Sequence, residues 1–287
     1  MNARVVAIIQ ARMASSRLPG KVLKDIEGVA MLGRVVERTR RAETAEDVIL
    51  ATTTDASDDA IVEYCHTRDI PSIRGSHFDV LDRYYDAARE TKANVVIRIT
   101  ADCPLIDPTL IDDAVHVLLG SGEPRTRADA AICTDFDLVA NRLPPPWKRT
   151  YPIGLDTEVC TFEALEKAWR EAREPGDREH VVPYMYKGVN LVPRDWHVSN
   201  GRSPRGFRVA VLNNSDDFGA YRWTVDTADD LEFVRQVYRH FGGRCDFSWL
   251  DVLRLVYSHP EMMSINAGVR HKTLEDLDER APGADAS

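Results

Sequence analysis

Three cations lie within ten residues near the start of the chain, directly after a short apolar run. Arg12, Arg17 and Lys21 follow the β-branched run 5–9, and two serines and Gly20 lie between them. A guanidinium can bind two phosphate oxygens at once, an ammonium acts as a point charge, and a glycine lets the backbone approach a ligand closely. The segment therefore predicts a loop that binds a polyphosphate, and a solvated basic turn is its alternative.

The spacing of this loop excludes two common phosphate-binding motifs. A Walker A loop would need a glycine at position 15 and a hydroxyl at position 22, where the chain has Ser15 and Val22. The dinucleotide-binding pattern G-x-G-x-x-G is also missing from the segment. The predicted polyphosphate loop is therefore of another kind.

Two aspartates follow predicted strands that are far apart in the sequence. Asp102 comes after the apolar run 95–99, and Asp226 comes after 222–225. Two carboxylates at strand ends can hold one Mg²⁺ together with substrate phosphates and water. Because Asp is also a favoured N-cap, Asp226 could instead only cap the helix that follows it. The sequence predicts a metal pair, and the cap remains the alternative for Asp226.

Strands and helices alternate along most of the chain, which determines where these residues are placed. Apolar runs predict strands at 5–9, 48–52, 70–73, 95–99, 129–133, 155–160, 207–212 and 222–225. Helical spacing predicts helices at 31–42, 57–66, 80–90, 108–119, 162–173, 178–186, 228–241 and 248–257, with Ser57 and Ser248 as N-caps. This alternation indicates an α/β fold with a mostly parallel sheet sandwiched by helices, in which ligands bind beyond the carboxyl ends of the strands.

The composition excludes several classes of protein. The 37 Lys and Arg against 46 Asp and Glu give a net charge of −9, which argues against non-specific nucleic-acid binding. No run approaches the roughly 18 apolar residues of a membrane span, and the start lacks the features of a secretory signal, so we expect a cytoplasmic protein. The five cysteines are dispersed and form no C-x-x-C pair, which excludes a disulfide framework and a structural zinc site. The polar residues 266–287 predict a flexible C-terminal tail.

Six segments in chain order carry a resemblance to a known family. They are A-I-I-Q-A-R-M-A-S-S-R-L-P-G-K-V-L at 7–23, R-G-S-H-F-D-V-L-D-R-Y at 74–84, I-T-A-D-C-P-L-I-D at 99–107, Y-P-I-G-L-D-T-E-V at 151–159, R-E-H-V-V-P-Y at 178–184 and R-W-T-V-D-T-A-D-D-L at 222–231. Together they resemble the cytidylyltransferases that make CMP-activated acidic sugars, the CMP-Kdo synthetase and acylneuraminate cytidylyltransferase family. Within that family they are most similar to the subgroup named after spore coat polysaccharide biosynthesis.

The resemblance implies one nucleotidyltransferase domain over 1–260, with the Rossmann-like, GT-A-like fold of nucleotide-diphospho-sugar transferases. It implies that Arg12 and Lys21 act as catalytic residues on the triphosphate of CTP, and that Asp102 and Asp226 bind Mg²⁺. The nucleotide-binding residues that it further implies are Gln10, Ala11, Ser15, Arg17, Arg74, Asp82 and Arg83. The acceptor-binding and dimerisation part would be about 141–200, which suggests the acceptor residues Asp156, Glu158, Arg178, Glu179 and His180.

The implied activity is transfer of CMP from CTP to an acidic sugar or related hydroxy acid, with release of pyrophosphate, by a homodimer without nucleic-acid or membrane partners. A glycosyltransferase of the same fold is one alternative, and its mark would be a D-x-D metal motif such as Asp135-Phe136-Asp137 after the predicted strand 129–133. A non-catalytic nucleotide-binding subunit is another alternative. Loss of a metal aspartate or of the loop lysine would mark that subunit, and all of these residues are present.

Overall fold

A computed structural model describes residues 3–120 and 134–270, so the predicted strand 129–133 and residues 271–287 lie outside the described part. The strands are β1 (Val5–Gln10), β2 (Asp25–Ile26), β3 (Val29–Ala30), β4 (Asp47–Thr53), β5 (Ser72–Gly75), β6 (Val95–Thr100), β7 (Leu138–Ala140), β8 (Glu158–Thr161), β9 (Val192–Pro193), β10 (Val198–Arg202) and β11 (Arg208–Leu212). The α-helices are α1 (Met31–Thr39), α2 (Asp59–His66), α3 (Val80–Glu90), α4 (Pro108–Leu119), α5 (Phe162–Glu171), α6 (Pro175–His180), α7 (Pro183–Tyr186), α8 (Ala228–His240) and α9 (Trp249–Ser258).

Nine of these strands form one sheet in the order β5-β4-β1-β6-β8-β7-β11-β10-β9, and β2 and β3 form a separate hairpin. The parallel part predicted from the sequence is found in the first half, where β1 pairs with β4 and β6, and β4 pairs with β5. Beyond it the sheet is mixed, because β8 runs antiparallel between β6 and β7, and β10 runs antiparallel to β11 and β9. The carboxyl ends of β1, β4, β6 and β7 therefore share one edge.

Helices cover both faces of the sheet. Helices α1, α2, α4, α8 and α9 pack on one face, and α3, α5 and α7 pack on the other. Strand β1 alternates between the two cores, since Ala7 and Ile9 contact the first and Val6 and Ile8 the second. Burial on both faces explains its continuous apolar run and fixes its register, so the loop that follows starts from a rigid position. None of the described helices is both long enough and apolar enough to cross a membrane.

The predicted strand 222–225 is wrong. Arg222 makes only an isolated bridge to Ile153, and no strand is assigned to this segment. The reason is a long-range contact, because the N–H of Val225 donates to the C=O of Asp102 at 2.8 Å instead of joining a ladder. The segment before α8 is therefore bound to the loop that follows β6.

The predicted helix 178–186 is broken in its middle. Helix α6 ends at His180 and α7 begins at Pro183, because Val181 adopts φ 72° and ψ −59°. The N–H of Val182 donates to the C=O of His180 at 2.9 Å, which completes a γ-turn of the rare, strained form. A β-branched residue is sterically disfavoured in this conformation, and such strain concentrates at functional sites. The strained turn directly follows predicted acceptor residues.

Candidate active site

The side chain of Lys21 lies beyond the carboxyl ends of the parallel strands, between two carboxylates. Its Nζ donates to Asp102 Oδ2 at 2.8 Å, to Asp226 Oδ1 at 3.0 Å and to the C=O of Val225 at 2.8 Å. The residue is only 9% exposed, so the solvated-turn alternative is wrong for this lysine. The structure thus brings together the predicted loop lysine and both predicted metal ligands from three distant parts of the chain.

The loop that carries Lys21 is closed at its base. The N–H of Gly20 donates to the C=O of Met13 at 2.9 Å, and Gly20 has a φ of 67°, which a glycine adopts at little cost. A 3-10 turn then begins at Lys21. Inside the loop the N–H of Leu18 donates to the hydroxyl of Ser15 at 3.4 Å. The side chain of Lys21 therefore leaves the loop from a fixed backbone position.

Gln10 and Ala11 connect this loop to the sheet. The C=O of Gln10 accepts from the N–H of Ala101, and the N–H of Ala11 donates to the C=O of Ala51. The loop after β1 is thus hydrogen bonded to the chain beyond β6 on one side and to β4 on the other. This position is what the sequence predicted for a ligand-binding loop at the carboxyl edge.

Asp226 does not cap the helix that follows it. Thr227 is the N-cap of α8, and its side chain forms a capping box with Asp230. The cap alternative for Asp226 is therefore wrong. Its carboxylate faces the cations of the site instead.

Two arginines bind the second oxygen of Asp226. Arg17 lies 2.9 Å from Asp226 Oδ2, and Arg222 lies 2.7 Å from it. Arg222 also forks onto the fully buried carboxylate of Asp230, with N···O distances of 2.9 and 3.0 Å. With Lys21, three cations face the three carboxylates of the site, so the network is neutral overall.

The network shifts the pKa values of its members. Burial by itself lowers the pKa of Lys21, but the Asp102 and Asp226 carboxylates outweigh burial and raise it above the ordinary value. Burial would raise the pKa of Asp226, yet Lys21 and Arg222 hold it well below its usual range. Both groups are therefore charged through the neutral range, as binding of a phosphate and of a metal ion requires.

The two aspartates fit the Mg²⁺ that the resemblance implies. Asp102 and Asp226 offer oxygen donors, and proteins usually bind Mg²⁺ through one or two carboxylates while phosphates and water complete the shell. Among residues 3–120 and 134–270, no group of three His, Cys, Asp or Glu is placed to hold a metal ion. Two carboxylates alone would leave the other positions around an octahedral Mg²⁺ to phosphate oxygens and water.

Two predicted nucleotide-binding arginines lie close enough to repel each other. Arg83 is buried and donates to the C=O of His77 at 3.0 Å. Burial and the positive charge of Arg12 lower the pKa of Arg83 to about 10.

Arg74 and Asp82, also predicted to contact the nucleotide, are hydrogen bonded to the scaffold. Arg74 donates to the C=O groups of Thr53 and Asp55, each at 2.8 Å. Asp82 Oδ1 accepts from the indole N–H of Trp169 at 2.8 Å. Arg74 thus holds β5 to the end of β4 and the chain after it, and Asp82 joins α3 to α5. Their contact with a base stays a prediction.

Two of the predicted acceptor residues form ion pairs near the carboxyl edge. Asp156 is bound in a fork by Arg149, with N···O distances of 2.5 and 3.1 Å. Burial raises the pKa of Cys103, and the Asp102 and Asp156 carboxylates raise it further. Glu158 pairs with Arg98 at 2.6 Å across β6 and β8, in a position largely closed to solvent.

The other three predicted acceptor residues, Arg178, Glu179 and His180, lie in the last turn of α6. Arg178 donates to Asp79 at 2.5 Å, and Asp79 is the N-cap of α3. Arg178 also lines a surface cavity of about 520 Å³ between α3, α5 and α6. The predicted acceptor residues are therefore distributed over two regions, and their roles stay predictions.

The D-x-D motif of the glycosyltransferase alternative lies away from this site. Asp135-Phe136-Asp137 precedes β7, which runs in the same direction as β6, so the motif is at the amino end of its strand. Arg208 forks onto Asp137, with its closest N···O distance at 2.6 Å, and Phe136 is buried. Ligands of this type of fold bind at the opposite, carboxyl edge. The geometry therefore argues against this alternative.

The sequence analysis missed three residues that support the site. Arg222 and Asp230 hold Asp226, and Asp58 binds the backbone of the loop through the N–H of Met13 at 2.7 Å. The spacing R-x₃-D-x₃-D from Arg222 to Asp230 could have identified Arg222 and Asp230 from the sequence. Asp58 gave none, because it looks like an ordinary acid at the start of a helix.

Comparison with known proteins gives a consistent result. The sequence model of the family described as Cytidylyltransferase matches residues 6–237. The chain is 29% identical over 264 residues to the spore coat polysaccharide biosynthesis protein SpsF of Bacillus subtilis, covering 90% of this chain and 95% of that protein. It is 37% identical over 249 residues to the 3-deoxy-manno-octulosonate cytidylyltransferase of Geobacter sulfurreducens, covering 80% and 97%. The structure of a cytidylyltransferase from Leptospira borgpetersenii matches with a TM-score of 0.77 at 29% identity, covering 94% and 100%.

Proposed function

Because the chain belongs to the cytidylyltransferase family, we propose that it transfers CMP from CTP to an acidic sugar or related hydroxy acid and releases pyrophosphate. The observation that carries the proposal is the Lys21 ammonium, held between Asp102 and Asp226 at the carboxyl edge of the sheet. The class of acceptor follows the name of the relative from Geobacter sulfurreducens. A role in surface polysaccharide synthesis follows the name of the relative from Bacillus subtilis.

The residues of the loop bind the triphosphate and stabilise the leaving group. Arg12 and Arg17 hold phosphate oxygens as forks, and Lys21 adds a point charge. The acceptor hydroxyl attacks the α-phosphorus in line and gives its proton to solvent as its oxygen bonds to that phosphorus. The bond from the α-phosphorus to the oxygen that bridges to the β-phosphorus breaks. Negative charge then builds on the departing pyrophosphate, where fixed cations are most effective. Asp102 and Asp226 would hold Mg²⁺, which would neutralise phosphate charge when bound.

Ligand binding must change the contacts of Lys21. An ammonium has three N–H donors, and the described contacts with two carboxylates and the C=O of Val225 use all three. A phosphate oxygen can bind this ammonium only by replacing one of them. The proposed site is therefore ordered before the ligand binds. Its own carboxylates accept from the N–H donors of Lys21 that phosphate oxygens would use.

We further propose how the protein selects the base, where it binds the acceptor and how it assembles. Cytosine has an amino donor where uracil has an oxygen, so a site that accepts from that amino group rejects UTP. We place this recognition in the segment from Arg74 to Arg83, beside the loop.

The strained turn at Val181 supports an acceptor site near α6. The family resemblance supports a cytoplasmic homodimer that meets through part of 141–200.

A pyrophosphate-release assay tests the proposed function. The protein is incubated with Mg²⁺, inorganic pyrophosphatase, a panel of sugar acids and hydroxy acids, and either CTP or UTP. We expect phosphate release that needs both CTP and one class of acid, and at least about 100-fold slower release with UTP, because a buried acceptor would lose its partner. Equal rates with CTP and UTP would overturn the cytidylyl assignment. No phosphate release with CTP, together with consumption of a nucleotide sugar in a parallel incubation, would support the glycosyltransferase alternative.

A further inference from the structure

We propose that Asp58 is a positioning residue that fixes the base of the triphosphate loop and so sets the affinity for CTP. The inference rests on the proposed function, because it concerns the loop assigned to CTP. The carboxylate of Asp58 is 1% exposed. A carboxylate is costly to bury unless hydrogen bonds compensate for its lost hydration. Its partners therefore indicate what the residue is for.

Asp58 joins the loop to the end of a central strand. Its Oδ1 accepts from the N–H of Met13 at 2.7 Å. Its Oδ2 accepts from the hydroxyl and N–H of Thr53 at 2.5 and 3.3 Å, and from the hydroxyl of Thr52 at 3.2 Å. Both threonines lie at the carboxyl end of β4 (Asp47–Thr53). The carboxylate thus binds one backbone donor on each side of the gap between loop and strand.

The backbone group that Asp58 binds is the base of the loop. The C=O of Met13 accepts the N–H of Gly20, the bond that closes the loop, while its N–H is bound by Asp58. Arg12 directly precedes this residue, and Lys21 directly follows Gly20. A fixed Met13 therefore fixes the positions from which both proposed phosphate-binding side chains extend.

The adjacent helix does not account for Asp58. The sequence predicted Ser57 as the N-cap of a helix with Asp58 in its first turn, and this is wrong. Asp55 caps the 3-10 turn that precedes α2, since it accepts from the N–H of Ser57 at 2.8 Å. The helix begins at Asp59, and the side chain of Asp58 makes no capping hydrogen bond to it. The described hydrogen bonds of the Asp58 carboxylate come from the loop after β1 and from the carboxyl end of β4.

The variant Asp58→Asn tests the proposal, and Asp112→Asn is its matched control. An asparagine keeps the size but has one acceptor oxygen, so the N–H of either Met13 or Thr53 loses its partner. Asp112 likewise accepts two backbone N–H groups, at 3.1 and 2.8 Å, and a threonine hydroxyl at 2.6 Å. Those donors belong to Glu43 and Thr44, before β4, at the opposite end of that strand. Both variants should therefore lose thermal stability, and the buried Asp58 should lose more than the half-buried Asp112.

Calorimetric titration of the folded full-length proteins with CTP then separates the two roles. We expect Asp58→Asn to bind CTP at least about 10-fold more weakly, the effect of losing one hydrogen bond to a charged group, while Asp112→Asn keeps the wild-type affinity. Equal affinities of the two variants would overturn the proposal. If Asp58→Asn does not fold, Thr53→Val removes one hydroxyl donor and should weaken CTP binding in the same direction. Unchanged affinity in Thr53→Val would then overturn it.

The titration also distinguishes this proposal from the proposed function. Failure of the wild-type protein to bind CTP, or wild-type affinity in Lys21→Ala, would overturn the assignment of the loop to CTP and the positioning role with it. Loss of CTP binding in Lys21→Ala together with wild-type affinity in Asp58→Asn would overturn the positioning role alone.

Discussion

Lys21 is in direct contact with both Asp102 and Asp226. Truncating it removes a charge from the proposed leaving-group site and leaves two carboxylates without their shared cation. We expect Lys21→Ala to lose about 100-fold or more in turnover with CTP, the scale of removing one electrostatic stabiliser. Lys24→Ala is the matched control, three positions later in the same turn region, and should keep wild-type turnover. Wild-type kinetics in Lys21→Ala would contradict the assignment.

The same contacts make folding stability depend on pH in a defined direction. Lys21 and Arg222 depress the pKa of Asp226, so this carboxylate contributes stability above its ordinary pKa of about 4 and loses that contribution as the pH falls toward the depressed value. The raised pKa of Lys21 places its own loss of stability at alkaline pH. Urea unfolding from pH 7 to pH 3 should therefore show a smaller acid-induced loss in Asp226→Asn than in the wild type. Parallel curves would contradict these ion pairs.

Residue identities alone predicted a good part of the site. Arg12, Lys21, Asp102 and Asp226 were singled out from cations and carboxylates that follow apolar runs, and the structure brings Lys21 together with both aspartates. The buried state of the lysine was not predictable, because it depends on contacts between residues far apart in the chain. The same holds for Asp58, whose partners lie in two other segments.

At the scale of elements, two helices begin with the same capping box, and only one of them adjoins the site. Thr227 and Asp230 form the box of α8, and Ser248 and Asp251 form that of α9. Thr227→Ala and Ser248→Ala should each lower the free energy of unfolding by about 1 kcal/mol. Because Thr227 follows Asp226, only Thr227→Ala should also lower turnover. Denaturant unfolding and CTP turnover measured on both variants check this, and equal turnover in the two would contradict it.

Elements with strong periodicity were predicted well. Helices 80–90 and 108–119 are confirmed at both ends, and strands 5–9 and 95–99 are each confirmed with one further residue. The failures have physical reasons. The segment 222–225 forms hydrogen bonds with a loop instead of a neighbouring strand, which left no local signal. The break at Val181 did have a signal, because Pro183 cannot continue a helix from the preceding turn and instead begins α7.

At the scale of the whole molecule, the sheet order explains why distant motifs meet. Strands β4, β1 and β6 are neighbours and parallel, so the segments after them are adjacent at one edge. The chain after α9 adds a further contact, because the buried Asn266 donates to the C=O of Arg222 at 3.0 Å and to Asp230 at 2.9 Å. Alternation of strands and helices predicted the parallel part. The order of the later, mixed strands depends on long connections that periodicity does not describe.

We propose that Asp102 and Asp226 act as one unit that binds Mg²⁺ with CTP. The most direct test is the CTP affinity across a Mg²⁺ titration for the wild type, Asp102→Asn, Asp226→Asn and the double variant. We predict that Mg²⁺ tightens CTP binding in the wild type, that each single variant loses this effect, and that the double variant is little worse than either, because residues acting as a unit are strongly non-additive. Full Mg²⁺-dependent tightening in Asp226→Asn would contradict the claim.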